Sequence, residues 1–324
     1  MTQRVVVAGA SGFIGTRLVE SYRVAGASVS TIGREGADAV WGDSAAIAAL
    51  LDGADLVVNL AGKSVNCRYT DANRAEIFRS RRETTRQISD AIAACAAPPP
   101  VWINSSTATI YRHADDRPMT ESGGELGQGF SVEVARSWEA EFFRAELPHT
   151  RRVALRIAIV LGNGSVMQPL TRLARFGLGG PQLDGRWFST RRRRNAGTYH
   201  DYRPTKGRQK FSWVHIDDVV GVIKFVTERP DIDGVVNVSA PNPTDNAELM
   251  SVIRKQLGIP FGLPAFRWML ELGSAVIRTE TELVLKSRWV IPARLEAAGF
   301  VFAHPAVEPA IGQILAVEKP RQTR

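Results

Sequence analysis

The stretch Arg4-Val5-Val6-Val7-Ala8-Gly9-Ala10-Ser11-Gly12-Phe13-Ile14-Gly15 decides the fold. Val5 to Ala8 form an unbroken apolar, mostly β-branched run, the pattern of a strand buried on both faces of a parallel sheet. Gly9, Gly12 and Gly15 then spell GxxGxxG, and a helical pattern opens at Phe13-Ile14-Gly15-Thr16-Arg17-Leu18. The three glycines serve different ends, namely a tight turn, backbone approach to a pyrophosphate, and close helix–strand packing. The helix N-terminus adds unpaired N–H groups and a positive dipole end. A bare glycine triplet also fits a ligand-free turn; its place between a strand and a helix points to a dinucleotide. Enzymes that prefer NAD carry an acid about 20 residues further on, where it binds the ribose 2′-hydroxyl. Here the second strand ends Ile32-Gly33-Arg34. A guanidinium suits a 2′-phosphate, so NADP is favoured over NAD, with Glu35 as the competing neighbour.

Strand patterns recur at 28–32, 55–60, 101–105, 153–160 and 235–239, with helical patterns at about 46–52, 71–95, 131–146 and 217–228. This alternation predicts an α/β, Rossmann-type doubly wound parallel sheet with right-handed crossovers. From about residue 161 the rhythm gives way to turns at Gly177, Gly179, Gly180, Pro181 and Gly185, and 241–324 is mainly helical. The expected organisation is a core of residues 1–165, rejoined by 211–240. A smaller, mainly helical substrate lobe, 166–210 and 241–324, then lies over the sheet's carboxyl edge, where ligands bind at the switch point.

With 44% hydrophobic and 23% charged residues in 324, the chain is neither disordered, collagen-like nor disulfide-stapled. Two cysteines, Cys67 and Cys95, cannot build a disulfide framework or a four-ligand zinc site, which favours a reducing compartment. No apolar run reaches the roughly 18–20 residues of a membrane span, and the start lacks the pattern of a signal peptide. A cytoplasmic location is expected. No His/Cys/Asp cluster shows metal-ligand spacing, so no metal is expected. The net charge is +8, and Arg186 to Lys210 carries all of that excess, with nine basic residues against Asp201.

Taken together, Gly9–Gly15, Gly42-Asp43, Asn59-Leu60-Ala61-Gly62, Ser105 to Tyr111 and Trp213-Val214-His215-Ile216-Asp217-Asp218 resemble the extended short-chain dehydrogenase/reductases of the NAD-dependent epimerase/dehydratase type. Gly177 to Pro181 and Val290 to Phe300 are similar to its "epimerase family" branch, whose C-terminal domain is also represented. The resemblance implies that Gly9, Ser11, Gly12, Phe13, Ile14 and Gly15 hold the pyrophosphate and Arg34 the 2′-phosphate. It places Asp43 by the adenine, Leu60, Ala61 and Gly62 along the ribose, and Arg81 near the cofactor, although an ordinary exposed helix arginine is the alternative for Arg81. Thr107 takes the position of the hydroxyl that polarises the substrate oxygen.

One departure matters. The superfamily's Tyr-x-x-x-Lys pair ends four residues before a glutamate. Anchored on Glu139, the Lys position is Ala135 and the Tyr position Ser131. Tyr111 is the candidate substitute, against a tyrosine packed under its loop with the hydroxyl satisfied. His215 reads as part of a structural strand-end motif capped by Asp217 or Asp218; His113 and Tyr69 are within reach.

The family pattern passes quickly from Gly-Gly-Pro to Trp-Val-His, whereas here about twenty extra residues, 186–206, intervene, including Arg191–Arg194, Tyr199, His200 and Tyr202. Like charges without apolar periodicity favour a solvated loop. A lid over an anionic small-molecule substrate is the second reading, and nucleic-acid contact the third. Three functions follow: an NADP(H)-dependent oxidoreductase or epimerase, a non-catalytic NADP(H) sensor, and a polyanion binder.

Overall fold

The computed structural model describes residues 2–318 except 165, 186, 196, 198, 200, 201 and 277–284. Arg186, His200 and Asp201 of the insert therefore lie outside the described residues. The strands are β1 (Arg4–Ala8), β2 (Ser28–Gly33), β3 (Ala39–Val40), β4 (Leu56–Asn59), β5 (Val101–Thr107), β6 (Arg151–Ile157), β7 (Ile159–Leu161), β8 (Lys210–Phe211), β9 (Trp213–His215), β10 (Gly234–Val238) and β11 (Thr244–Asp245). Seven of them form one parallel sheet in the order β3-β2-β1-β4-β5-β6-β10. The chain leaves β1 first toward β2 and later, on its other side, toward β4, so the switch point lies between β1 and β4.

The unbroken apolar runs follow from burial on both faces. Val5 and Val7 pack with Leu18 of α1 (Phe13–Val24) and Val222 of α7 (Ile216–Glu228). Val6 and Ala8 point the other way, onto Ile47 of α2 (Ser44–Leu51) and Ile88 of α3 (Asp71–Ala94). The helix expected at 131–146 is α4 (Phe130–Phe143).

The strand expected over 153–160 divides. β6 stays in the main sheet, Ala158 donates its N–H to the Val238 carbonyl, and β7 leaves to pair with β9. Arg156 interrupts the apolar run, and in β7 Ile159 and Val160 are half-buried while Leu161 is buried. A second core joins α5 (Met167–Arg175), α8 (Asn246–Leu257) and the helix Val307–Glu318 through Met167, Leu249, Ile253 and Ile311. Two further helices fall between the elements of this second core in sequence, α6 (Arg191–Asn195) after α5 and α9 (Arg267–Val276) after α8. Among the described residues no helix is long and apolar enough to cross a membrane.

Candidate functional site

Gly9, at φ +78°, starts the turn after β1, and a Cβ there would stand 2.8 Å from the Leu60 carbonyl carbon. A Cβ on Gly15 would stand 2.3 Å from the Gly9 oxygen. The loop is thus pressed between the Leu60-Ala61 backbone and the first turn of α1, with no room for a side chain at either glycine. Gly12 caps α1 without any side-chain bond, so the first-turn N–H groups face outward. Ser11 is exposed, Ile14 packs into the core, and the Phe13 ring lies so close to Gly162 that a Cβ there would meet it at 2.8 Å. A cavity of about 900 Å³ runs from Ser11 past Thr31 to the exposed Arg34. A larger cavity, about 1150 Å³, opens at the opposite edge of the sheet beside Pro100 and Arg151, away from these groups.

The Leu60–Gly62 segment is held by a buried polar network. Leu60 donates to the Ala8 carbonyl at 2.9 Å, and Ala61 to Asn59 Oδ1 at 3.0 Å. Asn59 Nδ2 in turn donates to Asn104 Oδ1 and Thr85 Oγ1, and Trp138 Nε1 to the same threonine. Asn59, Thr85 and Asn104 are at most 1% exposed, so each bond avoids an unpaired buried group. No local pattern marks this set, because its members come from four elements.

Arg81 is not an ordinary exposed helix arginine. It lies 4.9 Å over the Trp138 ring and donates to the Lys63 and Ile77 carbonyls. A Cβ on Gly62 would stand 3.2 Å from its guanidinium carbon. Burial pulls its pKa down to about 10, and it has no carboxylate partner among the described residues. Asp43 accepts from the Ala46 N–H as the N-cap of α2.

Thr107 ends β5. Its Oγ accepts from the Thr109 N–H at 3.1 Å, which leaves the hydroxyl proton free to donate. Tyr111 is turned away from the cleft: it is 2% exposed, donates to Asn237 Oδ1 at 2.8 Å and accepts from Arg156 at 2.9 Å. The packed tyrosine with a satisfied hydroxyl is therefore the arrangement found, and burial pushes the phenol pKa up. Arg156 makes a two-pronged pair with Glu139 at 2.9 and 2.7 Å, and Ser106 donates to the same carboxylate at 2.6 Å. Burial opposes the Arg156 charge, but Glu139 outweighs it and the pKa stands above normal. Ser131 Oγ is buried without a hydrogen bond among the described residues. Its one-carbon stem falls well short of where a phenol at that position would reach.

His215 caps α7 itself, accepting the Asp217 N–H at 3.2 Å; Asp218 instead takes the Ala303 and His304 N–H groups. This brings His304 to 3.9 Å from the His215 ring, with Asp217 alongside, a grouping that spacing in the sequence conceals. Asp217 also pairs with Arg17 at 2.8 Å. Burial, with His304 next, pulls the His215 pKa down to about 4. Between pH 6.5 and 4 the unfolded chain therefore binds a proton that folded His215 refuses. Stability is expected to drop by about 3 kcal/mol over that interval. Urea melts at stepped pH test this, and His215→Asn, which keeps a cap, should flatten the slope.

His113 accepts the Ser287 N–H and stacks on Tyr202 at 4.1 Å. Lys286, buried to 2% exposure, donates to the Thr109 carbonyl two residues beyond Thr107; the sequence carries no signal for it. Tyr69 meets the Phe130 ring edge-on at 4.6 Å.

The described part of the insert is mostly exposed but tethered at a few points. Arg193 pairs with Glu271 of α9 at 2.9 Å and Arg192 with Asp71 of α3 at 3.6 Å. Tyr199 lies beneath Arg193, Arg194 and Arg267. The insert keeps the exposure of a solvated loop and gains one part-buried tether, Arg193 to Glu271; the Arg192–Asp71 pair is almost fully exposed.

Sheet order, glycine loop and the groups gathered at the carboxyl edge define an extended short-chain dehydrogenase/reductase of the epimerase/dehydratase type. Residues 5–130 match the NAD dependent epimerase/dehydratase family, and residues 265–314 a domain of unknown function, DUF1731. The epimerase family protein SDR39U1 of Bos taurus is 31% identical over 97% of this chain and 100% of its own. YfhF of Bacillus subtilis strain 168, also an epimerase family protein, is 26% identical over 97% and 99%. The crystal structure of human SDR39U1 (isoform 2) with NADPH matches with a TM-score of 0.81 at 28% identity, covering 97% of this chain and 99% of that one. The chain belongs to the SDR39U1 epimerase family.

Proposed function

We propose that the protein binds NADP(H) and acts as an epimerase/dehydratase-like oxidoreductase on a small molecule, in the reducing cytoplasmic setting that two free cysteines suit. The observation that carries this reading is the single cavity joining the glycine loop at Ser11 to Arg34, a length of surface with a phosphate-binding turn at one end and a guanidinium at the other. The NADPH in the human relative's crystal structure supports the same cofactor. The first-turn N–H groups of α1 would hold the pyrophosphate. Arg34 would pair with the 2′-phosphate, and the backbone of Leu60, Ala61 and Gly62, tied down through Asn59, would pass along the ribose. Arg81, a half-buried cation without a carboxylate among the described residues, would gain an anionic neighbour.

NADPH, when bound, supplies a hydride to a carbonyl carbon; the chain must orient the carbonyl and handle the proton. Thr107, whose Oγ accepts from the Thr109 N–H and so keeps its own proton to donate, would orient it. For the proton, the phenol used elsewhere in the superfamily has no counterpart, since Tyr111 is committed to Asn237 and Arg156. That commitment favours the second reading, an NADP(H) sensor without turnover.

Calorimetric titration with NADPH and NADH tests the cofactor reading. The wild type is expected to prefer NADPH, and Arg34→Ser to shrink that preference about tenfold, the worth of one charge-assisted hydrogen bond. Binding of neither nucleotide overturns the assignment.

A further inference from the structure

We propose that the basic insert and the start of α4 together form a binding site for an oxyanion, a phosphate or carboxylate carried by the small-molecule substrate. The proposal rests on the oxidoreductase reading for its substrate, though its site is separate from the glycine loop. A cavity of about 470 Å³ is walled by Arg74 of α3, Arg136 of α4 and Arg194 of α6, with Tyr199 beside them and Glu133 as the one acid among the described lining residues. Arg74 stacks 4.2 Å over the Phe130 ring, and Arg136 and Arg194 bring two further like charges to the same space, which an anion between them would balance.

The insert sorts its arginines. Arg192 and Arg193 find the carboxylates of Asp71 and Glu271. Arg194 instead turns to the cavity, where its side-chain bond is to the neutral Ser189 hydroxyl at 2.6 Å and its charge stays uncompensated among the described residues. Arg136 is exposed and has no carboxylate partner among the described residues. A planar guanidinium fork matches the two oxygens of a carboxylate or phosphate.

The closure is specific in its backbone. Gly129, at φ +99°, and Gly197, at φ +61°, meet so closely that a Cβ on Gly129 would stand 2.9 Å from the Gly197 oxygen, and one on Gly197 2.8 Å from the Gly129 Cα. The insert therefore docks directly against the mouth of α4. Val132, which lines the cavity, packs with Ala108 and Ile110, the turn that follows Thr107. An anion held here would anchor a substrate beside the Thr107 end of β5.

The probe is inorganic pyrophosphate, titrated calorimetrically into protein saturated with NADPH so that the glycine loop is already filled. The wild type is expected to bind it, and Arg136→Ser/Arg194→Ser to bind it about tenfold more weakly or worse. The charge-matched control Arg191→Ser/Arg208→Ser, outside the cavity, should bind as the wild type does. NADPH affinity, measured first on each protein, should be the same in all three. Equal binding by the cavity variant and the control, or no binding by the wild type, overturns the proposal. If NADPH fails to bind, the cofactor reading falls, and the same comparison of variants still decides the anion site.

Discussion

Gly15→Val is expected to lower NADPH affinity about 100-fold while leaving the helical content of the protein in place. A Cβ at Gly15 would stand 2.3 Å from the Gly9 oxygen and 2.8 Å from the Ala10 Cα, both backbone atoms that no side-chain rotation can move aside. The loop must therefore shift away from α1, and it cannot move toward β4, where a Cβ on Gly9 would already be 2.8 Å from the Leu60 backbone. The first-turn N–H groups, proposed to hold the pyrophosphate, would lose their aim at it. Two lost charge-assisted hydrogen bonds at about 1.5 kcal/mol each amount to that factor. Calorimetric titration measures it, with circular dichroism as the check on folding; an unchanged affinity would show that the pyrophosphate is held elsewhere.

The second large effect is on stability. Arg156→Met is expected to destabilise the protein by about 3–5 kcal/mol, read as a lower urea midpoint. Arg156 and Glu139 are both buried, at 8% and 9% exposure, and the substitution would strand the carboxylate against Ser106 alone. Tyr111 would lose the donor to its hydroxyl as well. Glu139→Gln in the same chain removes the stranded charge and should restore most of the loss, because breaking a buried pair costs more than never forming it. If the double variant is no more stable than Arg156→Met, packing rather than charge sets the penalty.

These two sites differ in how far they can be read from residues alone. The glycine loop is legible because strand, turn and helix are neighbours, and the backbone conformation at Gly9 and Gly15 is set within a few residues. The Glu139–Arg156–Tyr111 set is half legible. Glu139 marks the absent Tyr-x-x-x-Lys pair, and Tyr111 follows Thr107 closely enough to suggest its replacement. What turns Tyr111 inward is Asn237, 126 residues further on, on β10. His304 is likewise drawn to His215 by Asp218, and Lys286 reaches Thr109 across 177 residues. The insert shows the same limit. Its charge and lack of periodicity describe a solvated loop, which matches its mostly exposed residues, and only Glu271, distant in sequence, ties it down at Arg193.

By itself, then, the sequence determined the parallel α/β sheet, the dinucleotide turn with Arg34 beyond it, and the absence of the usual acid–base pair. Each depends on short-range facts: side-chain alternation through a sheet, space around a glycine, the residue type at one position. The tertiary structure alone decided which polar groups are spent on one another and which remain for a ligand. Hydrogen bonds and ion pairs act over a few ångströms, and chain distance says nothing about those ångströms until the fold has brought the partners together.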